Sequence, residues 1–422
     1  MTSARTQHKI TIVAPTCFYY QVELFRELAN HPNIDLTVYF CSTEALNSKE
    51  VQRMYNTDSG WGIESELLEG YKFKFLRNFS PFPSYLRSIV GLMNFGIWGE
   101  IKRNKPDVVL LMSWMNPVWW IAVLACSVFN VPFFYLTDAN VRAESGKAKW
   151  KIWGKKLLLG KILFQQTSGA LYAGTANKLL YSFYGIPDEK LFPFAYSWGY
   201  SNYLKLSDEL KSHRQQYRQE MGISDDRTVI LFCGRLSPEK GLLNLIEAYR
   251  RVGSSKTALI FVGDGDQRAT LENLVSEYQL ESVYFAGFQD RNNVLKYYAM
   301  ADLLVMPSFR ETWGIAVNEG LCFGLPAIVS EEVGAGVDLV VPNENGYSFP
   351  AAVTDELANR MQQFIDLSPG EKRRMGERSQ ELMRQWSERD LAGNLVEYIN
   401  SIRGIQGDSG QVRSVTGDTP KL

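Results

Sequence analysis

The chain has 422 residues, 22% of them charged and 45% hydrophobic, which excludes global disorder and leaves room for two or three domains with separate cores. Formal net charge is −1, yet residues 1–205 hold 22 Lys and Arg against 15 Asp and Glu, whereas residues 206–422 hold 23 against 31. The basic first half points to an anionic partner such as a phosphate or a membrane surface, with chance surface charge as the alternative; nucleic acid is not expected.

The opening MTSARTQHKITIVAP has no apolar signal core ahead of its first strand pattern, so a cytoplasmic protein is expected. KITIVAP reads as a strand, QVELFRELAN as an amphipathic helix and IDLTVYFC as the next strand. The run DVVLLMSWMNPVWWIAVLACSVFNVPFFYL (107–136) imitates a membrane span, which takes roughly 20 consecutive apolar residues in one helix. Ser113, Asn116, Pro117 and Asn130–Pro132 divide it into strand, crossover helix and strand. RAESGKAKWKIWGKKLLLGK (142–161) carries seven cations against Glu144, with Trp150, Ile152, Trp153 and Leu157–Leu159 beside them. Lysine with tryptophan on one amphipathic element suits the headgroups of an anionic leaflet. The alternative is a solvated helix with a core-facing apolar stripe. ALYAGT follows as another strand.

The polar stretch SDELKSHRQQYRQEMGISDD precedes a restart of the pattern. TVILFCGRL, TALIFVGDG, SVYFAGF, DLLVMPS, PAIVS and GYSFP read as strands, separated by GLLNLIEAYRRV, QRATLENLVSEYQL, RNNVLKYYAM and WGIAVNEGLCFG as helices. Such alternation implies an α/β protein with two doubly wound parallel sheets, each covered by helices on both faces. The expected division is 1–205, 206–385, a terminal helix at 386–404 that can pack back on the first domain, and a disordered tail at 405–422. Cys17, Cys41, Cys126, Cys233 and Cys322 are scattered among apolar residues and read as buried thiols, not as a disulfide framework or a zinc site.

Ligands of open α/β sheets sit beyond the carboxyl ends of the strands, so chemistry belongs in the strand-to-helix loops. Gly234, Arg235 and Lys240 occupy one such loop, where backbone N–H groups, a helix terminus and two cations suit a diphosphate. The alternative is a turn with solvated cations. In FVGDGDQ, Gly263 and Gly265 allow a tight turn or close backbone approach, while Asp264 and Asp266 are placed to cap the following helix; alone, this stretch reads as structural. SFRETWGIAVNEG (308–320) puts Glu311 on a loop and Glu319 inside a helix that starts near Gly314. Eight helical residues span roughly 12 Å and about 80° of rotation, which suits neither flank of a single bond. The two carboxylates fit opposite ends of an extended ligand, with the N–H groups of Gly314 and Ile315 receiving a phosphate between them. The alternative leaves Glu311 complementing a helix dipole and Glu319 on the surface.

GRLSPEKG, VGDGDQR, YFAGFQD, ADLLVMPSFRETWGIAVNEGLCFGLPAIVS and NGYSFP occur in the order seen in group 1 (GT4-type) glycosyltransferases, and the sequence resembles that family across about residues 225–350. The resemblance implies a GT-B fold, two Rossmann-like domains facing a cleft, with the acceptor on the N-terminal side and a nucleotide-sugar donor on the C-terminal side. It implies sugar transfer from a UDP- or GDP-linked donor, with retained configuration and without metal or cofactor. The acceptor it implies is a glycan or lipid-linked molecule of surface polysaccharide or glycolipid biosynthesis, with peripheral membrane contact through 142–161. By the same resemblance Glu311 contacts hydroxyls of the transferred sugar, Glu319 the ribose, and Arg235 and Lys240 the diphosphate. Gly234, Gly263, Asp264, Phe288, Thr312, Trp313, Gly314 and Ile315 complete the implied donor site.

The first half departs from the family pattern. APTCFYYQVELF has no glycine where many relatives carry a glycine-rich loop, and SWMNPVWW has no histidine where many place one. Asp138 in YLTDANVR ends a strand toward the cleft and is the catalytic candidate there, contacting sugar or acceptor; a helix cap is the ordinary alternative. These departures keep two further readings open, a non-catalytic nucleotide-sugar-binding relative and a nucleotide-sugar epimerase.

Overall fold

Buried apolar runs alternate with helices to build two parallel sheets in the computed structural model, which describes residues 7–46, 66–84, 90–144, 148–194, 199–253, 255–387 and 390–404. The tail expected to be disordered, 405–422, lies outside the described residues. The first sheet holds β1 (His8–Ala14), β2 (Ile34–Phe40), β3 (Lys72–Phe75), β4 (Val108–Leu111), β5 (Phe133–Thr137), β6 (Gly169–Tyr172) and β7 (Leu191–Pro193). The second holds β8 (Thr228–Cys233), β9 (Thr257–Val262), β10 (Val283–Gly287), β11 (Leu303–Met306), β12 (Ala327–Ser330) and β13 (Gly346–Phe349). β4 and β9 are buried along their whole length, as strands covered by helices on both faces must be.

The strand orders are β3-β2-β1-β4-β5-β6-β7 and β10-β9-β8-β11-β12-β13. In both, the chain starts at the centre, winds to one edge, returns and winds to the other. The direction therefore reverses between β1 and β4 and again between β8 and β11, leaving a crevice at each carboxyl end. The apolar run at 107–136 resolves into β4, the helix Pro117–Val128 and β5. Among the described residues no helix is long and apolar enough to cross a membrane.

Packing does not respect residue 205 as a border. The helix Tyr200–Ser212 straddles it and buries Tyr200 and Tyr203 in the core of the second sheet. The last described helix, Leu391–Ile402, returns to the first domain, where Leu391, Leu395 and Ile399 join the core against β1 and β2. Tyr398 stacks on Phe192 at 4.5 Å, and Arg403 pairs with Asp107 at 2.7 Å.

Candidate functional site

β8 and β11 are neighbours, with Leu303 opposite Ile230, so the loops leaving their carboxyl ends meet at the second crevice. The Glu239 carbonyl accepts the N–H groups of Phe309 (2.8 Å) and Arg310 (3.3 Å), which ties one loop to the other. Lys240 then faces Glu311 in an ion pair whose members are only 14% and 15% exposed. The helix Ile315–Cys322 starts beside this pair, with Gly314 as its N-cap at φ +95° and no side-chain cap. A Cβ on Gly314 would lie 3.1 Å from Val333 Cγ1 and 3.2 Å from Glu311 Cγ, in a backbone conformation other residues rarely adopt. This turn delivers a carboxylate on one side and an uncapped, positive helix terminus on the other.

Glu319 sits inside that helix and is half-buried, which removes the alternative of a surface residue. Its carboxylate accepts the Tyr298 hydroxyl at 2.7 Å. Burial pushes its pKa up to about 7, with the Tyr298 hydrogen bond and the Arg291 charge pulling the other way.

A cavity of about 260 Å³ opens over these groups, lined by Cys233, Gly234, Lys240, Met306, Glu311–Ala316 and Glu319. Asp138, directly after β5, reaches the same cavity from the first domain. Asp138 is enclosed by protein on the scale of the whole cleft but exposed in area, because it opens onto a cavity on either side. The enclosing protein, and secondarily the charge of Glu311, raise its carboxyl above the ordinary carboxylate range, while a backbone hydrogen bond opposes them. The second cavity is small, about 30 Å³, and lies within the first domain between Gln21, Met112, Thr137, Asp138 and apolar neighbours. Gln21 is buried and its Oε1 has no hydrogen-bond partner among the described residues.

Of the residues singled out in the sequence, Arg235, Gly263, Asp264 and Phe288 are not among the lining. Arg235 pairs with Glu239 at 3.2 Å beside the loop. Gly263 (φ +134°) serves a close backbone approach: a Cβ there would lie 1.9 Å from the Gly234 carbonyl oxygen. The expectation that Asp264 and Asp266 cap the next helix is corrected. That helix, Arg268–Glu277, begins after Gln267, whose N–H is drawn to the Leu236 carbonyl at 2.9 Å and prolongs the turn. Asp264 instead accepts the Gly265 N–H at 2.8 Å.

Residues that carried no signal in the sequence also converge here. Asn140 reaches the Glu311 loop from the first domain, Asp338 meets Thr175, and Arg291 joins Glu23 at 3.3 Å and the Tyr203 hydroxyl at 3.0 Å. Only their partners, far away in the chain, reveal them.

Residues 213–382 match the profile of the glycosyl transferases group 1. The C-terminal domain belongs to the group 1 glycosyl transferases. An uncharacterized glycosyltransferase of Methanocaldococcus jannaschii is 37% identical over 134 residues, 31% of this chain and 34% of that protein. The N-acetyl-alpha-D-glucosaminyl L-malate synthase of Bacillus anthracis is 29% identical over 184 residues, 43% of this chain and 47% of that protein. The chain thus spans between a third and a half of the length of these two curated relatives. Likeness of fold extends further. Anabaena HepE, crystallised with UDP, superposes with a TM-score of 0.70 over 94% of this chain and 100% of that one, at 17% identity. The two sheets of this chain are therefore the halves of a GT-B fold.

Proposed function

We propose that the protein is a retaining glycosyltransferase that moves a sugar from a nucleoside diphosphate to an acceptor hydroxyl without a metal. The observation that carries this reading is the Lys240–Glu311 pair beside an uncapped helix terminus, in a cavity that Asp138 enters from the other domain. Lys240 and the N–H groups at Ile315 and Ala316 neutralise the charge that grows on the departing diphosphate. Arg235 adds longer-range positive charge from the same loop. Glu311 grips sugar hydroxyls, and Glu319 accepts from the ribose. The bond from the anomeric carbon to the phosphate oxygen breaks as the acceptor oxygen attacks from the same face. The departing phosphate oxygen takes the acceptor proton, so no protein nucleophile is required. Asp138 orients the acceptor or sugar hydroxyl, and the small cavity behind it, where the Gln21 oxygen has no partner among the described residues, offers that hydroxyl a second acceptor. The UDP held by HepE makes a uridine nucleotide the first donor to try, with GDP-sugars second.

A lipid-linked acceptor at an anionic membrane surface is favoured by the outer face of the first domain. The segment 149–166 forms one continuous helical rod, α-helical to Lys155 and π-helical through Leu163. Leu159 and Leu163 enter the core, but Trp150 and Trp153 are 70% and 69% exposed, and Leu157, Leu158 and Ile162 also face solvent. Trp120, Leu124 and Val128 make an exposed stripe on the helix Pro117–Val128, joined to the rod where Ser127 donates to Gln166 at 2.7 Å. Lys149, Lys151, Lys155, Lys156 and Lys161 surround this apolar surface.

The test is a panel of UDP- and GDP-sugars, with and without glycan and lipid-linked acceptors, read as nucleotide release and as product anomeric configuration. Acceptor-dependent release that is abolished in Glu311→Ala supports the assignment. A changed sugar without release would make the protein an epimerase, and binding alone would make it a non-catalytic relative.

A further inference from the structure

The two domains also touch through atoms for which the proposed chemistry has no use. Asn140 is buried and stands two residues after Asp138. Its amide nitrogen donates across the cleft to the backbone carbonyls of Glu311 (3.2 Å) and Thr312 (3.0 Å). The second domain holds the same loop from behind: Gly334 N–H donates to the Glu311 carbonyl at 3.2 Å, and Ala335 N–H to the Trp313 carbonyl at 2.8 Å. Four residues beyond Gly334, Asp338 crosses the other way. Its carboxylate accepts the Thr175 N–H at 3.0 Å and the Thr175 hydroxyl at 2.6 Å. Thr175 opens the helix Thr175–Phe183, whose N-cap residue, Gly174, offers no side-chain bond, so the cap comes from the opposite domain.

A trans peptide unit is planar, so a carbonyl turned toward Asn140 turns the next N–H the opposite way. Asn140 therefore fixes the planes of the Glu311–Thr312 and Thr312–Trp313 peptides, and all three residues line the cavity. We propose that Asn140 is a positioning residue. From the acceptor-side domain it sets the backbone of the donor loop, so Glu311 and the N–H groups of Thr312 and Trp313 take working geometry only in the closed molecule. The Asp338–Thr175 contact is the second fastening of the same closure. The inference rests on the transferase reading and adds that the donor loop is completed in trans. A donor bound to an open molecule meets an unset loop, which holds back transfer to water until the acceptor domain is in place.

The experiment uses Asn140→Ala in the full chain. Turnover with donor and acceptor falls roughly 10- to 100-fold, the scale of a small misplacement of a reacting group. Donor KM and the Kd of UDP or GDP stay within about threefold, because the nucleotide contacts belong to the second domain. Amide hydrogen exchange across 309–316 accelerates by about tenfold while β11 keeps its protection. Asn140→Asp, of the same shape but without the N–H donors, behaves likewise, and Thr175→Val, which keeps its backbone N–H, falls between. Native turnover and native exchange in Asn140→Ala overturn the inference. So does a parallel loss of nucleotide affinity, which would give Asn140 to nucleotide binding. A native protein inactive on every donor sinks the transferase reading instead, and the exchange measurement then decides this inference alone.

Discussion

Glu319→Gln separates a carboxylate kept for binding from one kept for stability. This group accepts from Tyr298 at 2.7 Å, and burial moves its pKa from the ordinary 4.5 to about 7. Between those values the folded chain holds a proton that the unfolded chain has released. Its contribution to stability is therefore complete below the lower value and is lost as pH rises through the upper one. The displacement corresponds to at most ~3 kcal/mol, and solvent reaching a half-buried group through the cavity reduces this to about 1–2 kcal/mol. Glutamine has nearly the same shape, cannot ionise and keeps an acceptor for Tyr298. It should leave stability almost unchanged near pH 5 and raise Tm near pH 8 by about 2–8 °C, at roughly 2–4 °C per kcal/mol for a domain of this size. Nucleotide binding has the opposite demand, since ribose hydroxyls donate and favour the ionised carboxylate. UDP or GDP affinity of the native protein therefore weakens as pH falls below about 7, with a proton released on binding, whereas Glu319→Gln binds more weakly with a flat profile. Thermal melts at both pH values and titration calorimetry in buffers of different ionisation enthalpy read the two effects. Equal Tm changes at both pH values, or the native pH slope retained by the variant, would refute the reasoning.

Lys240→Ala removes the countercharge of Glu311 and the cation proposed to face the diphosphate; turnover should fall by about 10²–10³-fold and recover partly in Lys240→Arg. Turnover within about threefold of native would remove Lys240 from the site. For the membrane face, co-sedimentation with anionic vesicles should exceed that with neutral ones and decline with salt. At about 1 kcal/mol per surface lysine, Lys149→Gln with Lys151→Gln should lower partitioning ~30-fold, and Trp150→Ser with Trp153→Ser should lower it without changing the salt dependence. Binding indifferent to lipid charge and salt would sink this face as an anionic-membrane contact.

What could be read from the sequence was what neighbouring residues decide among themselves. β4, β8, β9 and β11 are continuous apolar runs because both faces of a covered parallel strand are buried. β3 escaped because its Lys72 and Lys74 lie exposed at a sheet edge, where charge guards against further pairing. β7 is three residues ending in Pro193 at the opposite edge, so its neighbour defines it more than its own pattern does. The rod at 149–166 shows amphipathic bulk in sequence, but the change from α to π winding shifts which positions face inward, so Leu159 is buried while Leu157 and Leu158 are not. At the site, Glu311, Gly314 and Glu319 were legible because a loop, a turn and a helix start are local events. Asn140 and Asp338 were not, because their partners stand 171, 172 and 163 positions away.

The Lys240–Glu311 ion pair bears on how donor and product are told apart. Lys240 and Glu311 are both largely withdrawn from water, and each alone would be an uncompensated charge, which is costly in such surroundings. Paired, each charge compensates the other. On the proposed assignment the complete donor exchanges this pair for two new contacts, phosphate against Lys240 and sugar hydroxyls against Glu311. The nucleoside diphosphate left after transfer answers only the first. It draws Lys240 away and leaves Glu311 without a partner, so the site holds the donor more favourably than its own leaving group. The loop that carries Glu311 is the one that Asn140 fastens from the other domain, and the pair with Lys240 forms with that fastening in place, so Glu311 needs no loop movement to recover Lys240 and expel the spent nucleotide. The same two charges can thus bind the donor, assist departure of the diphosphate and help release it.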